Sequence, residues 1–297
     1  MRTIVLFLLF CSHLPLYRAK SKGPISKLTS DQEKEFTEQG RIPLEYFYVD
    51  DTDQGGKTHY KFSNNTLIQY VQDAKKVLRK YTNKDKKKKQ NMHNQNEDRV
   101  YAAMAKYKES FKDKRVAVLG SQEPWIEAIA LACQASEVVT IDYNYLTYNH
   151  ERIQTISGDD FDTFYPSSVD SFDVVVSISS IDHSGMGRYS DNLNAKGDLE
   201  AMGNIWSILK PNTGLLFLTV PIGPDRCIFN LMRRYGRIRL EMLIGDEKRW
   251  EIVEKIDWDE SMLDNTERSW RKTYEPVIVL RKVLLLQKEV EIESELR

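Results

Sequence analysis

The pattern of apolar and polar positions changes near residue 98. From there on, runs that are apolar throughout alternate with stretches whose apolar residues recur every three or four positions. Continuous apolar runs are typical of strands in a parallel sheet that is covered on both faces. The pattern therefore predicts a doubly wound, mostly parallel Rossmann-like α/β domain over residues 98–287. The main strand-like runs are KRVAVLG, SEVVTID, FDVVVSISS, GLLFLTVPIG, WEIVEKIDW and PVIVLRKVLLL.

Residues 20–97 carry a more polar pattern. In SDQEKEFTEQG, Ser30 is predicted to be the N-cap of a helix because Glu33 follows three positions later. NNTLIQYVQDAKKVLRKY places its apolar residues on one helical face. The lysine-rich NKDKKKKQNMHNQNED has no such period and is expected to be a solvated linker. The sequence thus indicates a polar, partly helical N-terminal extension. At its C-terminal end the chain has a charged tail over residues 288–297.

The first 19 residues have a pattern of their own. A single early cation, Arg2, precedes eight apolar residues, and polar residues then interrupt the run. A transmembrane helix needs about 20 apolar residues, so no stable transmembrane span is expected. The segment predicts a signal peptide, with a short uncleaved signal anchor as the alternative. The expected location is the secretory pathway, either secreted or in the ER or Golgi lumen, and Asn64 in the sequon Asn-Asn-Thr is then a candidate for glycosylation.

Composition narrows the classes of function. The chain has 297 residues, of which 41% are hydrophobic and 29% charged, as in globular proteins. A net charge of −1 gives no sign of a nucleic-acid partner. Three cysteines are too few for a disulfide scaffold, and no motif has the spacing of metal ligands, so no metal site is predicted.

Polar residues and one glycine follow the predicted strands at the edge where open α/β sheets bind ligands. Asp142 ends the second strand, 22 residues after Gly120. An acid about 20 residues beyond the first turn can accept hydrogen bonds from ribose hydroxyls, and an acid after the next segment could contact adenine. Each acid could instead cap a turn. The candidate cofactor contacts are Gly120, Ser121, Glu123, Asp142, Asp159 and Asp160.

The loop SSIDHSGMGRYSD follows the strand FDVVVSISS and carries three candidate catalytic residues. His183 suits a general base because the pKa of histidine ordinarily lies near neutrality. Asp182 could orient that ring or act as the base itself. Arg188 could hold an acidic or sugar-phosphate substrate through its planar guanidinium. The alternative is an ordered loop whose side chains only satisfy backbone groups.

Two stretches, GDDFDTFYPSSVDSFDVVVS and ILKPNTGLLFLTVP, resemble the corresponding parts of class I S-adenosylmethionine-dependent methyltransferases. The resemblance covers residues 113–286 and implies that the last two strands form an antiparallel hairpin. Four further strings are VAVLGSQEPWIEAIAL, SSIDHSGMGRYSDNLNAKGD, VPIGPD and FNLMRRYGRIRL. Together they more closely resemble domain of unknown function 268, a family known largely from nematodes.

This resemblance implies S-adenosylmethionine as the cofactor and methyl transfer to a small molecule or glycan as the activity. The sequence departs from the usual methyltransferase pattern at Val118, where an acid is common, and at Gln122 and Pro124, where further glycines are common. Two alternatives therefore stay open, namely a Rossmann-like binding protein without chemistry and a sugar-nucleotide-dependent transferase. The sequence indicates neither the acceptor nor the oligomeric state.

Overall fold

The computed structural model describes residues 24–82, 95–189 and 191–284. The predicted signal segment 1–19, most of the lysine-rich linker and the charged tail 288–297 lie outside these residues. Within the described part of the chain, no helix combines the length and hydrophobicity needed to span a bilayer.

The N-terminal part contains α1 (Ser30–Phe36), β1 (Leu44–Tyr46), β2 (His59–Phe62), α2 (Asn64–Thr82), α3 (Gln95–Lys106) and α4 (Lys108–Phe111). The first half of the sheet region contains β3 (Arg115–Leu119), α5 (Trp125–Ala132), β4 (Glu137–Asp142), β5 (Tyr145–Tyr148), β6 (Ile153–Ser157), α6 (Phe161–Ser168) and β7 (Val174–Ile178). The remainder contains α7 (Gly197–Ile208), β8 (Leu215–Thr219), β9 (Arg226–Phe229), β10 (Met232–Arg234), α8 (Arg237–Ile244), β11 (Trp250–Ile256) and β12 (Val277–Lys282).

The central sheet has seven strands in the order β11-β12-β8-β7-β3-β4-β6. The five strands from β8 to β6 in that order are parallel, β12 runs antiparallel to β8, and β11 runs antiparallel to β12. The predicted doubly wound, mostly parallel Rossmann-like sheet is confirmed, as is the antiparallel hairpin at its end. The chain leaves β3 toward β4 on one side and returns to β7 on the other. This reversal makes the β3–β7 boundary the topological switch point.

Both faces of the sheet are covered, which explains why its strands are apolar throughout. Along β3, Val116 and Val118 belong to a core shared with α2, α3 and α5. Ala117 points the other way, into a core shared with α7 and α8. Because side chains alternate between the two faces, every side chain of a strand that is buried on both faces lies in a core and is expected to be apolar.

The N-terminal segment is part of this packing. Leu67, Ala74 and Leu78 of α2 are buried in the same core as α5. β1 pairs in parallel with β9, and β2 pairs in parallel with β5. The predicted boundary after residue 97 falls inside α3. Residues 24–82 therefore form the helices predicted for them, and they also pair with later strands and cover part of the sheet.

The prediction that Ser30 caps α1 is wrong by one residue. Thr29 is the N-cap, because its Oγ1 accepts a hydrogen bond from the Gln32 N–H at 3.4 Å. Gln32 Oε1 accepts in return from the Thr29 N–H at 2.9 Å, which completes a capping box. Both threonine and serine can cap a helix, so the two neighbouring hydroxyls made the start ambiguous.

Candidate functional site

A cleft of about 340 Å³ lies at the carboxyl ends of β3, β4 and β7. Residues from three segments line it: 120–126 after β3, 142–144 after β4, and 178–189 after β7. The cleft therefore lies at the topological switch point, where open α/β sheets bind their ligands. Of the nine residues predicted for the site, it brings together Gly120, Ser121, Glu123, Asp142 and His183.

Gly120 is where two walls of the cleft meet. Its φ of +68° lies in the left-handed region, which favours glycine. A Cβ at this position would lie 2.0 Å from Ser180 Oγ and 2.7 Å from Ser180 Cβ. The loop that follows β7 (residues 179–189, the β7 loop) approaches the turn that follows β3 (residues 120–123, the β3 turn) so closely that a glycine is required. This contact fixes the relative position of the two segments.

A buried acid behind the β3 turn is absent from the sequence-based predictions. Glu127 of α5 is fully buried, and its Oε1 accepts a hydrogen bond from Thr140 Oγ1 of β4 at 2.7 Å. Its Oε2 lies 3.0 Å from Ser121 Oγ. Burial raises the pKa of Glu127 to about 7. The signal that could have revealed it is a single acid inside the apolar helix WIEAIALA.

Asp142 both caps a turn and lines the cleft. Its Oδ1 accepts a hydrogen bond from the Asn144 N–H at 2.7 Å. Burial raises the pKa of its carboxyl. Asn144 is held in turn, because its Oδ1 accepts from the Thr58 N–H of the N-terminal segment at 3.0 Å. The two roles left open for Asp142 by the sequence, turn cap and ligand contact, are thus compatible in one geometry.

The structure does not bring Asp159 and Asp160 to the cleft. Asp159 pairs with Lys57 at 2.7 Å and accepts from the Tyr145 hydroxyl at 2.9 Å. The hydrogen bond from Lys57 lowers the pKa of Asp159. Asp160 accepts from Ser157 Oγ at 2.5 Å, within the turn between β6 and α6. Asp160 therefore has the turn role that the sequence left as its alternative, whereas the ion pair of Asp159 with Lys57 was not predicted.

His183 is the member of the predicted catalytic set that lines the cleft. Its Nδ1 lies 2.5 Å from the carbonyl oxygen of Leu231, which can only accept, and 3.2 Å from Arg188 Nη1, which can only donate; the shorter of the two contacts favours a proton on Nδ1. The lone pair of the neutral ring is then on Nε2, which lies 3.4 Å from Asp182 Oδ2. Burial, and then the neighbouring Arg188 guanidinium, lower the pKa of His183 to about 4. The ring is therefore neutral at physiological pH.

Asp182 and Arg188 lie behind His183. Asp182 is fully buried, and neither carboxyl oxygen has a hydrogen-bond partner within the described residues. Burial raises the pKa of Asp182 to about 7. Arg188 bonds to Asp51 Oδ2 through its Nε at 2.5 Å and to the Leu231 carbonyl oxygen at 3.2 Å. Either residue can therefore influence a ligand through His183, while the charge of Arg188 is already paired.

The charged side chains that line the cleft are acidic. Among the described lining residues, Glu123 and Asp142 are the charged ones, and no lysine or arginine joins them. Trp125, Tyr143 and Tyr189 add aromatic surface. The lining therefore suits a neutral or cationic ligand with a flat ring better than a phosphate-bearing one.

Several solved structures are similar to the chain at low identity. A candidate S-adenosylmethionine-dependent methyltransferase from Streptococcus mutans is 14% identical with a TM-score of 0.39, and the match covers 60% of this chain and 48% of that one. The S-adenosylmethionine-dependent methyltransferase from Mesorhizobium loti is 14% identical with a TM-score of 0.39, covering 61% and 98%. The [4+2]-cyclase SpnF is 11% identical with a TM-score of 0.42, covering 77% and 99%.

The chain thus spans about half the length of the first of these proteins. A search of curated proteins found no match. The family described as "Caenorhabditis protein of unknown function, DUF268" matches residues 113–288, which include the central sheet and the whole lining of the cleft, and the chain belongs to this family.

Proposed function

We propose that the protein is an S-adenosylmethionine-dependent methyltransferase that binds the adenosyl group in the cleft beside Asp142. The observation that carries the proposal is the position of this acid, which ends β4 next to the switch point and lines the cleft. Acids at this position accept hydrogen bonds from the hydroxyls of a ribose. A sugar-nucleotide transferase is less well supported, because two phosphates would meet Glu123 and Asp142 without a lining cation.

The residues present fit this cofactor. Asp142 would hold the ribose, the aromatic residues Trp125 and Tyr143 offer flat apolar surface, and Ser179 and Ser180 offer hydroxyl donors. When bound, the cofactor supplies an electrophilic methyl group. The Ser121–Glu123 turn takes the place of the usual glycine-rich loop, so its backbone shape decides how closely the ligand can approach.

On the acceptor side, His183 is the group proposed to take the proton that an oxygen or nitrogen nucleophile loses on methylation. Its neutral ring can accept at Nε2. Asp182, with its Oδ2 3.4 Å from Nε2, is a positioning residue that would stabilise the imidazolium formed. Arg188 holds the loop to the N-terminal segment through Asp51 rather than contacting the substrate.

A binding protein without chemistry is the second candidate. It is favoured by the surroundings of His183, since both ring nitrogens lie close to protein groups, Nδ1 to the Leu231 carbonyl and Nε2 to Asp182. In that case the ligand would bind in the cleft, and no methylated product would form with any acceptor that is tested.

Calorimetry with S-adenosylhomocysteine tests the proposal. We expect the Asp142→Ala protein to bind this ligand about 5- to 150-fold more weakly than wild type, because about 1–3 kcal/mol is lost when a buried polar contact is removed. Asp162→Ala removes an exposed acid from the nearby α6 and serves as the matched control. Absence of binding to wild type, or equal binding by the Asp142→Ala protein, would contradict the proposal.

We also propose that the chain enters the secretory pathway, as the pattern of residues 1–19 predicts. Asn64 is exposed at the first residue of α2, where a glycan would have room. Expressed in animal cells, wild type should shift in electrophoretic mobility after peptide N-glycosidase treatment, and Asn64→Gln should not. A wild-type chain without a shift that fractionates with the cytosol would overturn this proposal.

A further inference from the structure

Two hydroxyl groups make side-chain hydrogen bonds to Glu127. Ser121 Oγ has one hydrogen but two acceptors within reach, the Glu123 carbonyl oxygen at 2.8 Å and Glu127 Oε2 at 3.0 Å. Thr140 Oγ1 already donates to the other carboxyl oxygen, Oε1. If Glu127 is ionised, its Oε2 and the Glu123 carbonyl compete for the single hydroxyl hydrogen of Ser121, and the carboxyl has the N–H of Glu127 itself as a further donor. If Oε2 is protonated, it donates to Ser121, Ser121 donates to Glu123, and the competition for the Ser121 hydrogen is removed.

The surroundings of Glu127 also favour the neutral form. The side chain is fully buried, and among the described residues the groups around it are Thr140 and Asp142 from β4, Ser121 from the turn, Tyr148 from β5 and its own N–H, with no lysine or arginine among them. A buried carboxylate without a cation is costly, and the nearby Asp142 adds like charge when it is ionised. Geometry and charge thus agree on a neutral acid.

Glu127 is connected directly to the part of the cleft that departs from the usual methyltransferase pattern. The Ser121 hydroxyl closes the turn onto the Glu123 carbonyl, and the Tyr148 hydroxyl donates to the Ser121 carbonyl at 2.5 Å. Ser121 and Glu123 both line the cleft. In place of further glycines, the turn is therefore held from behind by side-chain hydrogen bonds from Glu127 through Ser121 and from Tyr148.

We propose that Glu127 is a positioning residue: as a neutral acid it donates to Ser121, holds the Ser121–Glu123 turn in its ligand-accepting shape, and makes ligand affinity fall when its carboxyl ionises. The ligand part of this inference rests on the proposed function. The positioning part concerns the turn alone. The two parts can therefore fail separately.

The test compares wild type with Glu127→Gln, whose amide can donate to Ser121 and accept from Thr140 as the neutral acid does. Because the carboxyl ionises near pH 7, about a tenth of wild type is competent at pH 8. The affinity of wild type for S-adenosylhomocysteine should therefore fall about tenfold more between pH 6 and pH 8 than that of the glutamine protein. The ligand titrates in both experiments, so its own ionisation cancels in this comparison.

Hydrogen exchange of the amides in residues 120–127 gives a second readout that needs no ligand. Relative to Glu127→Gln at the same pH, wild type should exchange these amides faster at pH 8 and equally at pH 6. Glu109→Gln, an exposed acid on α4, is the matched control and should follow wild type throughout. Glu127→Ala, which removes donor and acceptor together, should bind weakly at both pH values.

The outcomes separate the two ideas. Equal exchange in wild type and Glu127→Gln at both pH values overturns the role of Glu127, whether or not a ligand binds. A difference in exchange without any binding of S-adenosylhomocysteine sinks the proposed cofactor and leaves Glu127 as the residue that holds the turn. Binding with the same pH dependence in both proteins supports the cofactor and overturns the link to ionisation.

Discussion

Replacing Gly120 by alanine is expected to lower the free energy of unfolding by about 2–5 kcal/mol. About 1–2 kcal/mol of this comes from the left-handed backbone and about 1–3 kcal/mol from the collision of the new methyl group with Ser180. Rotation of the Ser180 hydroxyl cannot remove the collision, because Ser180 Cβ would also lie 2.7 Å away. The β7 loop must then move away from the β3 turn, which widens the cleft.

Thermal unfolding measures this effect, and the melting temperature should fall by on the order of 10 °C. Gly203 provides the matched control, because it lies within α7 and a Cβ there would meet nothing within 4 Å. Gly203→Ala should stabilise the protein by about 0.5–1 kcal/mol, since alanine favours helix. A Gly120→Ala protein as stable as wild type would show that the β7 loop does not press on the turn.

Asp198→Ala is expected to cost about 3–5 kcal/mol, the usual loss when one partner of a buried ion pair is removed. Asp198 is fully buried, accepts from Arg239 Nε at 2.9 Å, and lies 3.7 Å from Arg233 Nε. The Tyr235 hydroxyl also donates to it, at 3.0 Å. The substitution leaves the nearly buried Arg233 without its carboxylate and Arg239 with Glu38 as its remaining acidic partner.

Urea unfolding at pH 7 measures the loss. Asp246→Ala is the control, because its pair with Arg249 is exposed and should contribute less than about 1 kcal/mol. Burial raises the pKa of Asp198, but the charges of Arg233 and Arg239 more than offset this and leave it lowered. The carboxylate thus stabilises the protein above its unfolded pKa, and the difference between wild type and variant should shrink as pH falls into the acid range. A constant difference down to strongly acid pH would contradict this assignment.

The sequence predicts the centre of the fold because the information there is local. The runs RVAVL and VVVSI are apolar throughout, and both became central strands, β3 and β7. The short strands escaped prediction because their pairing is distant along the chain. Leu44 of β1 pairs with Cys227 of β9, and no local pattern marks either as a strand.

For the candidate site, too, the residues that local sequence places could be predicted, and those that depend on distant contacts could not. Gly120 and Asp142 were predicted correctly to lie at strand ends, since the sheet topology alone places them there. The surroundings of Arg188 could not be predicted, because its partner Asp51 lies 137 residues earlier in the chain. Glu127 was missed because an acid within an apolar helix has no evident role until Thr140 and Ser121 are seen beside it.

The packing of α2 and α3 determines which part of the chain has to be produced for ligand-binding experiments on this family. The family match begins at residue 113, after both helices. A protein shortened to residues 113–288 would leave Val116 and Val118 of β3, together with α5, without part of the cover that they have in the full chain. It would also lose Thr58 and Asp51, which hold Asn144 and Arg188 at two walls of the cleft. The stretch defined by similarity is thus smaller than the unit that folds, and ligand screens should use the longer chain.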